Sequence, residues 1–151
     1  MTRPNPIPEG LHTITPHLTI KGAADAIAFY EKAFGAEELM RQEGPGGSIM
    51  HARVRIGDSS VMLNDEYPEH GSHGPTENSA VALHLYVEDV DAAYARAVEA
   101  GCEVLFPLSD TFWGDRYALL RDPFNHRWSV ASKVEDVSPE ECSRRAAEAF
   151  S

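Results

Sequence analysis

An internal repeat is the feature that most constrains this chain, because a sequence that holds one unit twice must build its architecture from two copies of it. His17-Leu18-Thr19-Ile20 reappears as His84-Leu85-Tyr86-Val87. After one deleted residue, Asp25-Ala26 matches Asp91-Ala92, and Gly35-Ala36-Glu37 matches Gly101-Cys102-Glu103. Ala52-Arg53-Val54-Arg55 then lines up with Ala118-Leu119-Leu120-Arg121, and Val61-Met62-Leu63 with Trp128-Ser129-Val130. The common order of these matches predicts two modules, residues 11–67 and 79–133, joined by the irregular segment His70 to Asn78 within one domain spanning 1–151.

Each module reads as βαβββ. A strand opens it: Ile14, Pro16, Leu18 and Ile20 alternate with Thr13, Thr15, His17 and Thr19, and Val81, Leu83, Leu85 and Val87 alternate with Ala82, His84 and Tyr86. A helix follows from about Ala24 to Phe34, with Ile27, Phe29, Tyr30, Ala33 and Phe34 as its apolar side and Gly35 as its stop. Its copy runs from about Asp91 to Ala100 and stops at Gly101. Three strands complete each module, the last two joined at Gly57-Asp58 and at Asp122-Pro123-Phe124-Asn125. Beyond the repeat, Ser138-Pro139-Glu140-Glu141 predicts a helix over 138–150 with Ser138 as N-cap and Glu141 closing a capping box. The fold class is therefore α+β. Two such sheets, each with a helix on one face, are expected to curl toward each other and enclose a cup lined by alternate residues.

Composition narrows the function classes. With 42% apolar and 25% charged residues in 151, the chain is an ordinary globular domain rather than a disordered one. Thirteen Lys and Arg against 24 Asp and Glu leave a net charge of −11, which repels a polyanion, so nucleic acid is not an expected partner. Three prolines break the first eight residues and the longest wholly apolar run, Ala26 to Tyr30, is five residues, so neither a signal peptide nor a membrane span is expected. Two cysteines, Cys102 and Cys142, are too few for a disulfide framework and suit a reducing cytoplasm.

The doubled unit, the run His17 to Lys21 leading to Ala28-Phe29-Tyr30-Glu31-Lys32-Ala33-Phe34-Gly35, and the closing Leu120-Arg121-Asp122-Pro123-Phe124-Asn125-His126-Arg127-Trp128 resemble the vicinal oxygen chelate superfamily. That group comprises glyoxalase I, bleomycin-resistance proteins and extradiol dioxygenases. The resemblance covers residues 11 to 133, and Tyr86-Val87-Glu88-Asp89-Val90-Asp91 with Trp113-Gly114-Asp115-Arg116 make it closest to the PhnB-like branch. It implies paired modules, dimerisation, and a cup that in catalytic members holds one divalent metal through His or Glu at four corners. Aligned here, those corners read Thr15, Met62 or Asn64, Ala82 and Ser129. None is a usual ligand, so the four-ligand metal site is expected to be absent.

Strand parity points His17 and His84 into the expected cup. They either contact a polar ligand, directly or as acid and base, or join a shifted metal site completed by His51, Asn64 or Glu66. A third reading has them hydrogen-bonded within the protein. His51 shares its strand face with Arg53 and Arg55, which suits a solvated edge equally. Phe112, Trp113 and Tyr117 flank the Gly114 loop, placed either to stack on a flat ligand or to cover the core edge. Trp128 has the parity of Val130 and belongs to the core; Cys102 reads as a small core residue. For Asp115 and Arg116 the sequence leaves open whether they pair within the fold or contact a ligand.

The leading expectation is a cytoplasmic homodimer binding an organic small molecule through His17, His84, His51, Asn64, Trp113 and Tyr117, with no cofactor. The alternative is a metal-dependent lyase, isomerase or dioxygenase whose one divalent ion sits among His17, His84 and Glu66. A pure interaction protein with a filled cup is the remaining class.

Overall fold

The computed structural model describes residues 3–77 and 79–150. Met1, Thr2, Asn78 and Ser151 lie outside the described residues, and with them the ends of the expected 1–151 span and the last residue of the expected connector. The chain divides into two compact units after Glu77.

The first unit runs β1 (His17–Ile20), α1 (Ala23–Phe34), β2 (Glu37–Glu43), β3 (Ile49–Ile56) and β4 (Ser59–Asp65). Its strands form one sheet in the order β1-β4-β3-β2, with β1 parallel to β4 and the other pairs antiparallel. The second unit repeats this plan with β5 (Ala82–Tyr86), α2 (Val90–Ala100), β6 (Glu103–Asp110), β7 (Asp115–Arg121) and β8 (Arg127–Lys133), in the order β5-β8-β7-β6. The register repeats as well. His17 lies opposite Met62 as His84 lies opposite Ser129, which are the residues the sequence alignment equates.

One face of each sheet is dry. Leu18, Ile20, Ala52, Val54, Val61 and Leu63 are buried with Ala23, Ala26, Ile27, Tyr30 and Ala33 of α1. Burial of each large side chain in this set contributes about 1.5–3 kcal/mol. In the second unit Ala118, Leu120, Trp128 and Val130 are buried with Val90 and Ala97 of α2. The residues between them in sequence form the opposite, open face.

Local polar groups fix the helix ends. No side chain at Gly22 caps α1; instead the carboxylate of Asp65, the last residue of β4, accepts from Gly22 N at 3.0 Å and Ala23 N at 2.9 Å, and also from Ile49 N at 2.7 Å. A negative charge on orphan N–H groups at a helix start is stabilising on both hydrogen-bond and dipole grounds. At the other end Gly35 takes φ 70°, and its N–H and that of Ala36 reach back to Glu31 O and Tyr30 O. This is the left-handed stop that a glycine adopts without a Cβ penalty. Asp89 caps α2 through Ala92 N.

Three expectations are corrected. The first strand does not extend to Ile14, which is 86% exposed. Pro16 has no N–H to give a ladder, Thr15 Oγ1 turns back to donate to His12 O, and regular pairing starts at His17. Val81 likewise lies before β5 and is exposed. The terminal helix α3 (Pro139–Ala149) is present and Ser138 Oγ accepts from Glu141 N at 3.1 Å, but the capping box stays half-made. The Glu141 carboxylate is held by Arg144 and Arg145 instead, a pair of charge-assisted contacts that holds it well below its usual range, at about 2. Trp128 and Cys102 are core residues as read, and burial with the nearby Asp122 charge pushes the Cys102 thiol up to about 12, so it is inert at neutral pH.

Candidate functional site

The open face of each sheet carries the polar side chains whose positions the strand alternation dictates. In the first unit β1 gives His17 and Thr19, β3 gives His51, Arg53 and Arg55, and β4 gives Met62 and Asn64. Parity alone predicts this grouping, and the rings of His17 and His51 meet edge to face with centroids 5.7 Å apart. Burial, then the charges of His17 and Arg53, hold the His51 imidazole below its ordinary value. Asn64 is turned aside: its Nδ2 donates to Asp65 O at 2.7 Å. Glu66 Oε1 accepts from Gly74 N at 2.8 Å and so fastens the segment after β4.

In the second unit β5 presents His84 and Tyr86, β7 presents Tyr117, and the loop before β7 presents Phe112 and Trp113. These side chains form a continuous aromatic cluster. His84 lies 4.6 Å from Tyr86 and stacks on Tyr117 at 6.0 Å; Tyr117 meets Phe106 at 5.9 Å and Trp113 at 5.7 Å. Two of the rings are held by one carboxylate. Asp115, only 5% exposed, accepts from the Tyr86 hydroxyl at 2.8 Å and from Trp113 Nε1 at 3.1 Å. The Tyr86 phenol is consequently raised above its usual value, first by that hydrogen bond, then by desolvation and the Asp115 charge. His84 Nδ1 and Ser129 Oγ share a hydrogen bond, which orients the imidazole. Although Asp115 tethers them, Tyr86 is 66% exposed and Trp113 41%, and the neighbouring Phe106 is 46% exposed. Large apolar rings fixed in place yet left wet are the features of a surface built to be covered.

Of the residues singled out from sequence, His17 and His51 come together in the first unit, and His84, Trp113 and Tyr117 in the second. Asn64 and Glu66 are engaged with backbone instead. Sequence reasoning missed Tyr86 and Phe106 as ring-cluster members, and Asp115 as the anchor of Tyr86 and Trp113. Tyr86 was findable, since it lies two residues along β5 from His84 and shares its face. Arg116, which the sequence left open, binds Asp91 and Asp110 on the surface and has no contact role among the rings. Phe112 packs between Trp113 and Phe150.

Comparison with known proteins decides the family. The pattern of the Glyoxalase/Bleomycin resistance protein/Dioxygenase superfamily matches residues 10–130. The chain belongs to this superfamily. An uncharacterized protein of Mycobacterium bovis is 46% identical over 133 residues, covering 85% of this chain and 88% of the relative. Among solved structures, TioX from Micromonospora sp. ML1 superposes with a TM-score of 0.65 at 26% identity, covering 82% of this chain and all (100%) of that one. The PhnB protein of Bacillus cereus shares the fold, with a TM-score of 0.66 at 20% identity over 80% of this chain and 99% of its own.

A divalent metal is what membership brings to mind, and the donor set does not fit one. The Thr15 hydroxyl is spent on His12 O, Met62 offers a thioether, Ala82 offers nothing, and Ser129 is bonded to His84. Divalent ions are held chiefly by imidazole, carboxylate and thiolate groups, and none of these positions supplies one. Of the shifted alternative's residues, Glu66 binds Gly74 N through one carboxylate oxygen and His84 binds Ser129 through Nδ1. Among the described residues, no group of three or more His, Cys, Asp or Glu side chains is placed to hold a metal ion.

Proposed function

We propose that this chain is a cytoplasmic small-molecule-binding protein whose ligand is a flat, largely apolar organic compound stacked on the ring cluster of the second unit. The observation that supports it is the joint fixing of Tyr86 and Trp113 by buried Asp115 while both rings stay exposed beside Tyr117 and Phe106. A carboxylate that prearranges exposed rings removes ordering cost from the bound state, which is how a binding surface gains affinity without new contacts. His84, oriented by Ser129, supplies one polar contact at the edge of the stack. Cys102 and Cys142 are both free thiols, which suits a reducing compartment, and among the described residues no helix is long and apolar enough to cross a membrane.

Nitrobenzene is a suitable probe, being flat, neutral and a fluorescence quencher. Trp113 emission should fall along a saturating curve, and Trp113→Phe should remove the response, since Trp128 is buried. Tyr117→Ala and Tyr86→Ala should each weaken binding about tenfold, the equivalent of about 1.4 kcal/mol. Linear, unsaturable quenching that neither substitution alters would refute the reading.

We propose also that the chain is a homodimer. Edge strands β2 and β6 leave Leu39, Met40, Val104, Leu105 and Phe106 exposed beside unpaired backbone groups, a combination that soluble monomers avoid. Light scattering should give twice the 16.6 kDa of one chain, and the single-chain mass at micromolar protein would overturn this.

A further inference from the structure

We propose that the open face of the first unit's sheet is an oxyanion-binding site, formed by His17, His51 and Arg53 and suited to the carboxylate, sulfate or phosphate group of a small molecule. This does not rest on the ring cluster of the second unit and can hold or fail separately from it.

Three cation-forming side chains from two strands converge here in a protein whose net charge is −11. Arg53 sits opposite Met62 on one side and Met40 on the other, so its cross-strand neighbours are thioethers rather than carboxylates. The contrast with the other arginines of this sheet is informative. Arg41 is paired with Glu38 and Arg55 with Glu37, whereas Arg53, half-buried, has no ion pair among the described residues, and its Nε is buried without any hydrogen-bond partner. A buried guanidinium donor left unmatched is costly, and the fork of an arginine is matched geometrically by a bidentate oxyanion.

The two imidazoles complete the set. The rings of His17 and His51 meet edge to face at 5.7 Å, and the charges acting on His51 are those of His17 and Arg53, both positive. The neighbouring positions on the flanking strands are uncharged: Gln42 lies opposite His51 on β2, and Met62 and Asn64 stand on β4. Like charges facing one another across an uncharged surround favour a bound anion, which relieves their repulsion. The same charges lower the affinity of His51 for its proton, and a bound anion offsets them, so anion and proton bind with mutual assistance.

Sulfate is the probe of choice, because it does not titrate between pH 5 and 8 and can be exchanged for chloride at constant ionic strength. The ring resonances of His17 and His51 should move along a saturating curve. The His51 ring should bind its proton about threefold more tightly with sulfate present, a rise of about 0.5 pH unit. Arg53→Gln should weaken sulfate binding about tenfold or more, whereas Arg55→Gln, which removes the same charge from the same strand, should leave it unchanged. His51→Gln gives a second test that keeps Arg53 in place, and should weaken the pH dependence of sulfate binding. The site is refuted if the resonances do not saturate, or if Arg53→Gln and Arg55→Gln weaken binding equally, since a general field rather than a site would then be at work. Nitrobenzene quenching of Trp113 should be the same in Arg53→Gln as in the parent, which separates the failure of this site from that of the ring cluster.

Discussion

Asp122→Ala is expected to destabilise the second unit by about 4 kcal/mol, more than the loss of any surface ion pair could. Asp122 is a buried carboxylate that accepts hydrogen bonds from Phe124 N at 2.8 Å, from His126 N at 2.9 Å and from Trp128 Nε1 at 2.9 Å. The first two shape the turn in which Asn125 takes φ 70°, a value otherwise found only at glycines among the described residues. The third satisfies the indole of the largest fully buried side chain. Removing the carboxylate leaves that indole N–H stranded in the core, at about 1–3 kcal/mol, and loosens the turn besides. Urea unfolding followed by far-ultraviolet circular dichroism would measure the loss in every variant. A cycle with Trp128→Phe isolates its origin: in that background the stranded donor is gone, and Asp122→Ala should cost only what the turn loses. Equal costs in both backgrounds would show that the indole contact contributes nothing.

The repeat was legible because it is written in hydrophobic phase. Alternation over His17 to Ile20 and over Ala82 to Tyr86 fixes which residues face the helix and which the open side, and the same parity separates Trp128, in the core, from Trp113, on the surface. Phase failed where the structure is one-sided in neither sense. Edge strand β6 is exposed at Glu103 to Pro107 on both faces, so nothing in its sequence marks Phe106 as a neighbour of Tyr117. Ile14 misled for the opposite reason: it continues the alternation of β1, but Pro16 cannot extend the ladder and the side chain stays in solvent. Glu141 is a competition of local contacts, in which two arginines one helical turn away outbid a single backbone N–H. Asp115 and Arg53 were hidden for a deeper reason. One is defined by the two ring donors it gathers, the other by the carboxylate it lacks, and both are properties of neighbours brought by the fold rather than of the local sequence.

Gly114→Ala should couple stability to binding more directly than any ring substitution. Gly114 adopts φ +101°, and a Cβ built there would stand 2.3 Å from Glu135 O and 3.1 Å from Val137 Cγ2. Backbone cannot yield as a flexible side chain can, and here it is pinned: Gly114 O accepts from Val134 N at 2.8 Å and Glu135 N at 3.1 Å. Making room for a methyl group therefore means parting the loop from the segment after β8. Positive φ alone costs an alanine about 1 kcal/mol, and the clash should raise the total to about 3 kcal/mol. Gly57 provides the control, since it has φ +59° in the β3–β4 turn with nothing within 4 Å of its Cβ direction. Gly57→Ala should show the conformational cost by itself. The functional consequence follows from chain neighbours: Trp113 precedes Gly114 and Asp115 follows it, so a displaced loop breaks the two bonds that hold Tyr86 and Trp113. Nitrobenzene binding should fall at least tenfold in Gly114→Ala, about 1.4 kcal/mol, and stay unchanged in Gly57→Ala. If the two variants lose equal stability, the close approach to Glu135 is not what makes glycine necessary at 114. If Gly114→Ala keeps full binding, the Asp115 anchor does not govern the ring cluster.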